Sequence, residues 1–545
     1  MRRSYIIFWV LAGVVLAGCG GATGKGRDSD VRNANEMRTG YSRAMINDRM
    51  SGWYNKDACV GFPNANSTNG VVQPETAATW DYVPGVVAKG ILDVWSLYRD
   101  SAWADAWYEG LAQWVEGLEE PTTDSSMKGR EKNWAKGGIL DDLNCAKVYL
   151  GLYEGAKPGG KFENAERAAF YMEQMRLAAK GLEEHKALYS IKCEVPSDKV
   201  PSDKVPSTKE DSYEPAVNGG WMHKATDDPT KSYWGQMWCD GAYMGPALLA
   251  QLLVVGACEG TSLGWKDVYD QFHASWPYLW DEEKQLPYHV LFTDVTVNKN
   301  AKTIYEAGHL YPCRDNLPFG HLPFTIYHSE EYWGRAAGWY ILALVDVLEA
   351  YMKGLSGEGQ CTKELLSAQH FDELREMLNQ LADGLVARQD KETGCWYQLL
   401  QYGPEKCATQ GIDETGSEKY TNVSEGGTQC NYLESSASCL ITAALLKGSR
   451  LGLIDHLEAG KKGYEGILRT FVRQVPSDDK VQSDQVSSTK EILTITGSCQ
   501  SAGLSKDRWG NAAYYLIGKD VPIQDNTEGK VLGAFLMAAA EYERL

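Results

Sequence analysis

Apolar residues recur at helical spacing in several long segments of this chain. In the stretch from Trp234 to Gly256, Asp240 precedes apolar side chains three or four positions apart: Met244, Leu248, Leu249, Leu252 and Leu253. This spacing predicts a core helix with Asp240 in its first turn. A carboxylate at that position is also what a helix N-cap requires, so Asp240 alone indicates either a cap or a functional acid.

Five further segments share this plan of a polar or aromatic cluster followed by about three apolar helical turns. They cover residues 80–98, 139–156, 332–351, 431–448 and 528–545. More polar helices, such as those predicted over 164–182 and 371–388, lie between them, and strand-like alternation is sparse. Alternating apolar and amphipathic helices predict an all-α toroid with two concentric layers, in which the clusters that begin the inner helices converge at one mouth.

The N-terminus has the pattern of a targeting segment. Arg2 and Arg3 precede an apolar stretch, and Leu16-Ala17-Gly18-Cys19 is similar to a bacterial lipobox. We therefore interpret residues 1–18 as a lipoprotein signal peptide, Cys19 as the lipidated residue and residues 19–45 as a flexible tether. The protein is then exported, and anchored in the periplasm, at the outer membrane or at the cell surface. The alternative is an ordinary secretory signal with a chance cysteine.

The remaining residues, 46–545, are interpreted as a single catalytic domain with polar insertions. Residues 194–211 and 475–490 are rich in Pro, Ser and charge, and the first contains a repeated VPSDK unit. Such segments lack core-forming residues and are typical of disordered or loop insertions. A third polar insert is expected near 403–428.

Charge and cysteine usage exclude some functions. The net charge of −19 argues against nucleic-acid binding but is compatible with an anionic substrate that binds in a local basic pocket. The 13 cysteines form no CxxC pair, so we expect no metal site. We also expect no cofactor. Cys145, Cys239 and Cys439 lie inside apolar helices and are expected to be small core residues.

Two facing helix starts could bring carboxylates together. Asp141 and Asp142 begin one predicted helix and Asp240 another, and a carboxylate pair is the minimum requirement for acid/base chemistry on a sugar. Spacing alone does not rank Asp141 against Asp142, because they point to different sides of one helix. All three residues could instead be helix caps.

Aromatic and basic residues occur at another predicted helix start and in the loop before Asp240, and they are candidates for binding a substrate. Arg335, between Trp333 and Trp339, suits a planar carboxylate with a sugar ring stacked nearby, or else an Arg packed on Trp for stability. His223 and Lys224 follow Gly-Gly-Trp-Met in a loop, and a lone histidine such as His223 is more often structural than functional.

Together these segments resemble the unsaturated rhamnogalacturonyl hydrolases of glycoside hydrolase family 105, which are related to unsaturated glucuronyl hydrolases. The matching motifs are WDYVPGV, LDDLN, GGWMHK, YWGQMWCDGAYMG, YWGRAAGWYILALVDVLE, RQDKETGCWYQ, NYLESSAS and VLGAFLMAAAEYE. They occur in the family's order over roughly residues 75–545. The chain differs from the family in reading HVLFTD after Tyr288, and its loop before Asp240 is lengthened by TDDPTKS.

The resemblance implies a single (α/α)6 barrel and an exo-acting hydrolase. It would remove a terminal 4,5-unsaturated uronic acid from lyase-generated oligosaccharides such as those of rhamnogalacturonan. It implies Asp240 as principal acid/base and Asp141, or Asp142, as second carboxylate. It places substrate contacts on a further set: Tyr82, His223, Lys224, His289, Trp333, Arg335 and Trp339. The alternatives are a toroid that hydrolyses saturated glycosides by the two-carboxylate route and a non-catalytic glycan-binding lipoprotein.

Overall fold

The computed structural model describes residues 40–47, 82–119, 134, 139–192, 216–313, 325–357, 363–413, 415–416, 421–476 and 491–545. Residues 1–39, which include the predicted signal peptide, Cys19 and most of the tether, lie outside the described residues, as do the insert at 194–211 and most of that at 475–490.

Helices dominate the described part of the chain. They are α1 (Tyr82–Tyr98), α2 (Ala102–Glu119), α3 (Leu140–Asn144), α4 (Lys147–Ala156), α5 (Ala165–Tyr189), α6 (Cys239–Met244), α7 (Pro246–Val254), α8 (Trp265–Leu279), α9 (Lys299–Glu306), α10 (Gly334–Ser356), α11 (Ala368–Val386), α12 (Ser435–Arg450), α13 (Leu457–Thr470), α14 (Ala512–Ile517) and α15 (Gly529–Glu543).

The strands are short. They are β1 (Gln236–Trp238), β2 (Trp280–Asp281), β3 (Leu286–Pro287), β4 (Val290–Thr293), β5 (Leu310–Pro312), β6 (Ile326–Ser329), β7 (Cys407–Thr409), β8 (Thr428–Cys430), β9 (Val472–Pro476), β10 (Glu491–Ile495), β11 (Ser498–Cys499) and β12 (Ile523–Gln524).

Six apolar helices form a closed inner ring. Each packs on the next in the order α1, α4, α7, α10, α12, α15 and back to α1. These helices are buried around most of their circumference, so they need a second layer to separate them from water. The amphipathic helices α2, α5, α8, α11 and α13 provide that layer, and helical residues 40–47 contact both α15 and α2. The predicted (α/α)6 toroid is confirmed.

Two predicted inner helices are interrupted. The stretch after Asp240 was expected to be one helix, but it forms α6 and α7, which meet at Gly245 and Pro246. Proline has no backbone N–H and begins a helix more readily than it continues one. The segment 139–156 is likewise divided into α3 and α4 by a turn at Cys145 and Ala146.

A small sheet lies at the mouth of the toroid, where the sequence indicated few strands. Its antiparallel strands follow the order β1-β4-β6-β5, and β1 leads directly into α6. Within the register, Trp238 of β1 lies opposite Val290 of β4, directly after His289. The sheet therefore connects the start of an inner helix with the segment that carries His289.

The described residues of the insert at 403–428 include part of a hairpin. Strands β7 and β8 pair antiparallel, and a disulfide joins Cys407 to Cys430 across the pair. The sequence did not predict this pairing. The first two residues of the insert predicted at 475–490 belong to a strand, because β9 extends to Pro476 and pairs with β10. Cys145, Cys239 and Cys439 are buried in the core, as predicted.

Candidate active site

Asp240 lies at the start of α6, in the first turn, as predicted. The N-cap is Trp238 in extended conformation, so Asp240 is not the cap. Its side chain is almost buried, and its Oδ2 atom lies 3.3 Å from Nε2 of His289. Neither atom has a hydrogen-bond partner among the described residues. Such long contacts are common in catalytic sites without substrate.

Tyr515 orients the ring of His289. Its hydroxyl lies 2.5 Å from Nδ1 of His289, and both side chains are fully buried. Burial raises the pKa of Tyr515, so the hydroxyl keeps its proton. No other acceptor for this proton is found among the described residues, so Tyr515 donates to Nδ1 and Nε2 carries the ring hydrogen that faces Asp240.

A second carboxylate and histidine lie beside the first pair. Oδ1 of Asp141 is 3.4 Å from Nε2 of His223, and the His223 ring stacks on Trp238 at 4.7 Å with an angle of 7°. His289 meets the same indole edge-on at 5.1 Å. The histidines of both carboxylate–histidine pairs therefore pack against the same indole ring, that of Trp238. The contact with His223 distinguishes Asp141 from Asp142, a choice that the sequence left open.

Local charges determine the protonation of these groups. Burial lowers the pKa of His289, and Asp240 offsets this only in part, so the ring is held neutral. Burial raises the pKa of Asp141, but His223 and Lys224 lower it by more, and the carboxyl is held as the anion.

Three buried polar atoms converge on this region without a hydrogen-bond partner among the described residues. They are Oδ2 of Asp240, Nε2 of His289 and Nδ1 of His223. A Cβ atom on residue 241 would lie 3.2 Å from Nδ1 of His223, so any residue larger than glycine would crowd that nitrogen. Buried polar groups in proteins are normally paired, so three unpaired atoms at one place make this region the candidate site for a polar ligand.

Arg335 is placed differently from the expected carboxylate clamp. Its Nε donates to Ser436 at 2.8 Å, its terminal nitrogens contact the carbonyls of Cys499 and Gln500, and Glu434 lies 3.7 Å away. Burial lowers the pKa of Arg335, but Glu434 and neighbouring groups raise it by more, so it is charged. All three guanidinium nitrogens have partners within the protein. A direct contact with substrate thus has no support from these contacts and stays a prediction.

The other predicted contacts fall at different depths. Trp333 is buried, with its ring 4.8 Å from that of His289 and its Nε1 donating to Gln398 at 3.1 Å. Trp339 packs on Tyr243, one turn beyond Asp240 towards the barrel interior, so its predicted role in binding gains no support. Lys224 lies at the opening, with Nζ 4.5 Å from the centre of the Tyr233 ring. Tyr82, the first residue of α1, is close enough to raise the pKa of Arg335.

Two residues of this region were missed by sequence reasoning. Tyr515 belongs to α14 and Arg508 to the loop before it, in a segment with no motif that we had singled out. Their proximity to Asp240 depends on the chain returning over the mouth after α13. A hydroxyl-bearing Tyr and an Arg in a loop carry no local signal that would have identified them.

Among the described residues, no group of three His, Cys, Asp or Glu side chains is arranged to hold a metal ion. None of the helices in that part of the chain is both long and apolar enough to cross a membrane.

A family model described as Glycosyl Hydrolase Family 88 matches residues 321–417 and 409–545. The chain is also 28% identical over 223 residues to Protein Atu3128 of Agrobacterium fabrum, an alignment that covers 39% of this chain and 72% of the relative. The 24.9 kDa protein in picA locus of Rhizobium radiobacter matches equally. The family match confirms the resemblance to this group of glycoside hydrolases that the motifs indicated.

Solved structures with the same fold cover nearly the whole chain. A family 105 glycoside hydrolase from C. acetobutylicum superposes with a TM-score of 0.54 at 23% identity and covers 93% of this chain and 99% of its own. A possible family 105 member from Klebsiella pneumoniae gives a TM-score of 0.52 at 16% identity, covering 97% and 96% respectively. At these identities the matches establish the fold.

Proposed function

Because residues 321–545 match Glycosyl Hydrolase Family 88 and the chain has the fold of family 105 structures, we propose that the protein is an exo-acting unsaturated uronyl hydrolase. A glycoside hydrolase acts on an oligosaccharide. Here the substrate is one whose terminal uronic acid carries a C4=C5 double bond, generated by a polysaccharide lyase. The family 105 motifs favour galacturonyl-rhamnose units from rhamnogalacturonan within that class.

The proposed reaction is the hydration of an enol ether. A proton is added at C4, water attacks C5, and the resulting hemiketal opens to a ketone. The hemiacetal left at C1 then expels the next sugar as its alcohol and becomes an aldehyde. One water molecule is consumed, and the anomeric carbon is never attacked by a nucleophile, unlike in ordinary glycoside hydrolysis.

Asp240 is the residue proposed to donate the proton and then activate the water. Its unpaired and almost buried Oδ2 atom, which faces Nε2 of His289, is the observation that carries this proposal. The Nε2–H of His289 can stabilise the carboxylate that remains after the proton is transferred. Asp141, held as an anion by His223 and Lys224, can orient water or a sugar hydroxyl as an acceptor.

The test is a set of single Asp→Asn variants assayed by loss of ultraviolet absorbance of the unsaturated bond. We expect Asp240→Asn to lower kcat by about 100-fold or more, since general acid–base catalysis contributes roughly 100- to 10,000-fold. Asp141→Asn should also lower the rate. Asp142→Asn removes a charge from the same helix turn and should retain activity.

Circular dichroism and thermal unfolding must show that each variant is folded. A folded Asp240→Asn variant with near wild-type turnover would refute the assignment. Release of sugar from saturated glycosides, without any change in absorbance on unsaturated ones, would instead support the two-carboxylate alternative.

A further inference from the structure

Two cationic side chains lie at the opening of the candidate active site, beside the same aromatic residues. Lys224 contacts the Tyr233 ring, and the Tyr233 ring lies 5.4 Å from that of Trp238. Nη1 of Arg508 lies 3.2 Å from the position that a side chain on Gly503 would take, and Cη2 of Trp238 lies 3.0 Å from that same position. Arg508 therefore flanks the indole about which the two carboxylate–histidine pairs are arranged.

Arg508 is held in place but keeps free donors. Its Nε forms an ion pair with Asp520 at 2.9 Å, which fixes the guanidinium. Within the described residues, its two terminal nitrogens have no acceptor, and Lys224 has no ion-pair partner. Arg335 differs, because protein groups occupy all its nitrogens. Arg508 is thus a fixed, partly exposed guanidinium with hydrogens available for a ligand.

The depth of these residues indicates which part of a substrate they meet. Asp240, His223 and His289 are almost completely buried, whereas the Arg508 side chain is 31% exposed. An exo-acting enzyme holds the terminal sugar at the closed end of its pocket, so the groups at the opening face the sugar that leaves. An acidic group on that sugar would meet Lys224 and Arg508.

We propose that Arg508, assisted by Lys224, is a specificity-determining residue that binds a carboxylate or sulfate on the leaving sugar. This inference rests on the proposed function and narrows its substrate class. Rhamnose is neutral, so a cationic site at the opening favours unsaturated substrates with an acidic leaving sugar over galacturonyl-rhamnose. A guanidinium forms strong, charge-assisted hydrogen bonds with both kinds of anion. Since the protein carries a net charge of −19, its surface as a whole repels acidic sugars, and a local cationic site is needed to retain one.

The first experiment compares unsaturated disaccharides that differ only in the leaving sugar, which is neutral, carboxylated or sulfated. We expect the wild type to have a kcat/KM roughly 10-fold higher for at least one acidic form, as expected for hydrogen bonds to a charged group. Arg508→Gln should reduce this ratio to near one, mainly through KM. Comparison of the carboxylated with the sulfated disaccharide shows which of the two anions the site binds.

Lys506→Gln is the matched control, because it removes a positive charge from the same loop at a side chain that is 66% exposed. It should keep the wild-type ratio. A wild-type ratio near one, or an unchanged ratio in Arg508→Gln, would overturn the inference.

A second measurement separates this inference from the proposed function. Calorimetry with glucuronic acid, a sulfated glucose and glucose itself tests recognition without turnover. We expect an acidic sugar to bind the wild type more tightly than glucose, and Arg508→Gln to lose that difference. If this holds while no disaccharide is hydrolysed, the proposed function fails and the anion subsite stands. Equal binding of all three sugars would overturn the subsite.

Discussion

At the scale of single residues, the candidate site depends on two histidines that face carboxylates. His289 has one ring nitrogen towards Asp240 and the other bonded to Tyr515. A neutral imidazole has two tautomers, and the hydrogen bond at one nitrogen decides which nitrogen carries the proton. Tyr515 therefore acts through His289 as a positioning residue.

We expect Tyr515→Phe to lower kcat about 10-fold with little change in KM, because the ring of His289 loses its fixed tautomer. Selective ¹⁵N labelling of histidine would report the tautomer of His289, which a purely structural defect would leave unchanged. Tyr108→Phe is the control, since it removes an equally buried hydroxyl bonded to the Leu152 carbonyl, far from Asp240. Equal effects of both variants on kcat would contradict the positioning role.

At the scale of elements, the hairpin β7–β8 supports the helix that carries Tyr515. Helix α14 packs on both strands, and the backbone of Asn422 donates to the Ile517 carbonyl at 2.8 Å. The disulfide between Cys407 and Cys430 closes the loop between the two strands. A polar insertion thus contributes to the position of a buried residue in the site.

We expect the double variant Cys407→Ser, Cys430→Ser to lose about 3 kcal/mol of unfolding free energy, the amount associated with releasing a loop of this length. Activity should fall together with it, because α14 loses part of its support. Denaturant unfolding and kcat measure both effects. Cys313→Ser, at a free and partly buried thiol, should change neither as strongly. Unchanged stability of the double variant would exclude a supporting role.

At the scale of the whole molecule, the two ends of the inner ring have different tasks. The side chains of the mouth come from the N-terminal ends of α10 and α12 and from the short helices α3 and α6, which precede the inner helices α4 and α7. Farther along the inner helices, ion pairs join neighbours, such as Lys447 of α12 with Asp346 of α10 at 2.6 Å and Arg450 of α12 with Glu541 of α15 at 2.7 Å. The candidate active site and the ion pairs between helices therefore lie at different levels along the barrel axis.

The stability of the fold should fall as pH rises towards 8. Burial of the side chain, and to a smaller extent the negative charge of Glu330, raise the pKa of Glu331 from 4.5 to about 8. Between these values the folded protein holds a proton that the unfolded chain releases, so rising pH favours unfolding. We expect Glu331→Gln to remove this dependence and to gain on the order of 3 kcal/mol over the wild type at pH 9.

The same comparison at pH 5 should show a much smaller difference, because Glu331 is then protonated in the fold and partly so in the unfolded chain. Glu458→Gln, at an exposed position on α13, is the control and should follow the wild type at both values. A Glu331→Gln variant with the wild-type pH profile of thermal unfolding would contradict the prediction.

Helix positions were largely predictable, whereas their interruptions and the strands were less so. Apolar spacing identified the inner helices because burial of one face is a local property of the sequence. Pro246 stood in the sequence, yet its effect on the helix after Asp240 was not anticipated. The strands near His289 are only two to four residues long, too short for alternation to be recognised.

The sequence by itself determined the helical toroid, the family resemblance and the position of Asp240 at a helix start. Lipid anchoring at Cys19 stays a prediction. Only the tertiary structure decided that His289 faces Asp240, that His223 contacts Asp141, and that Arg335 is bound within the protein while Arg508 keeps free donors. The physical reason is that helical periodicity acts over a few residues. The partner of a polar side chain, in contrast, depends on which distant segments meet at the mouth.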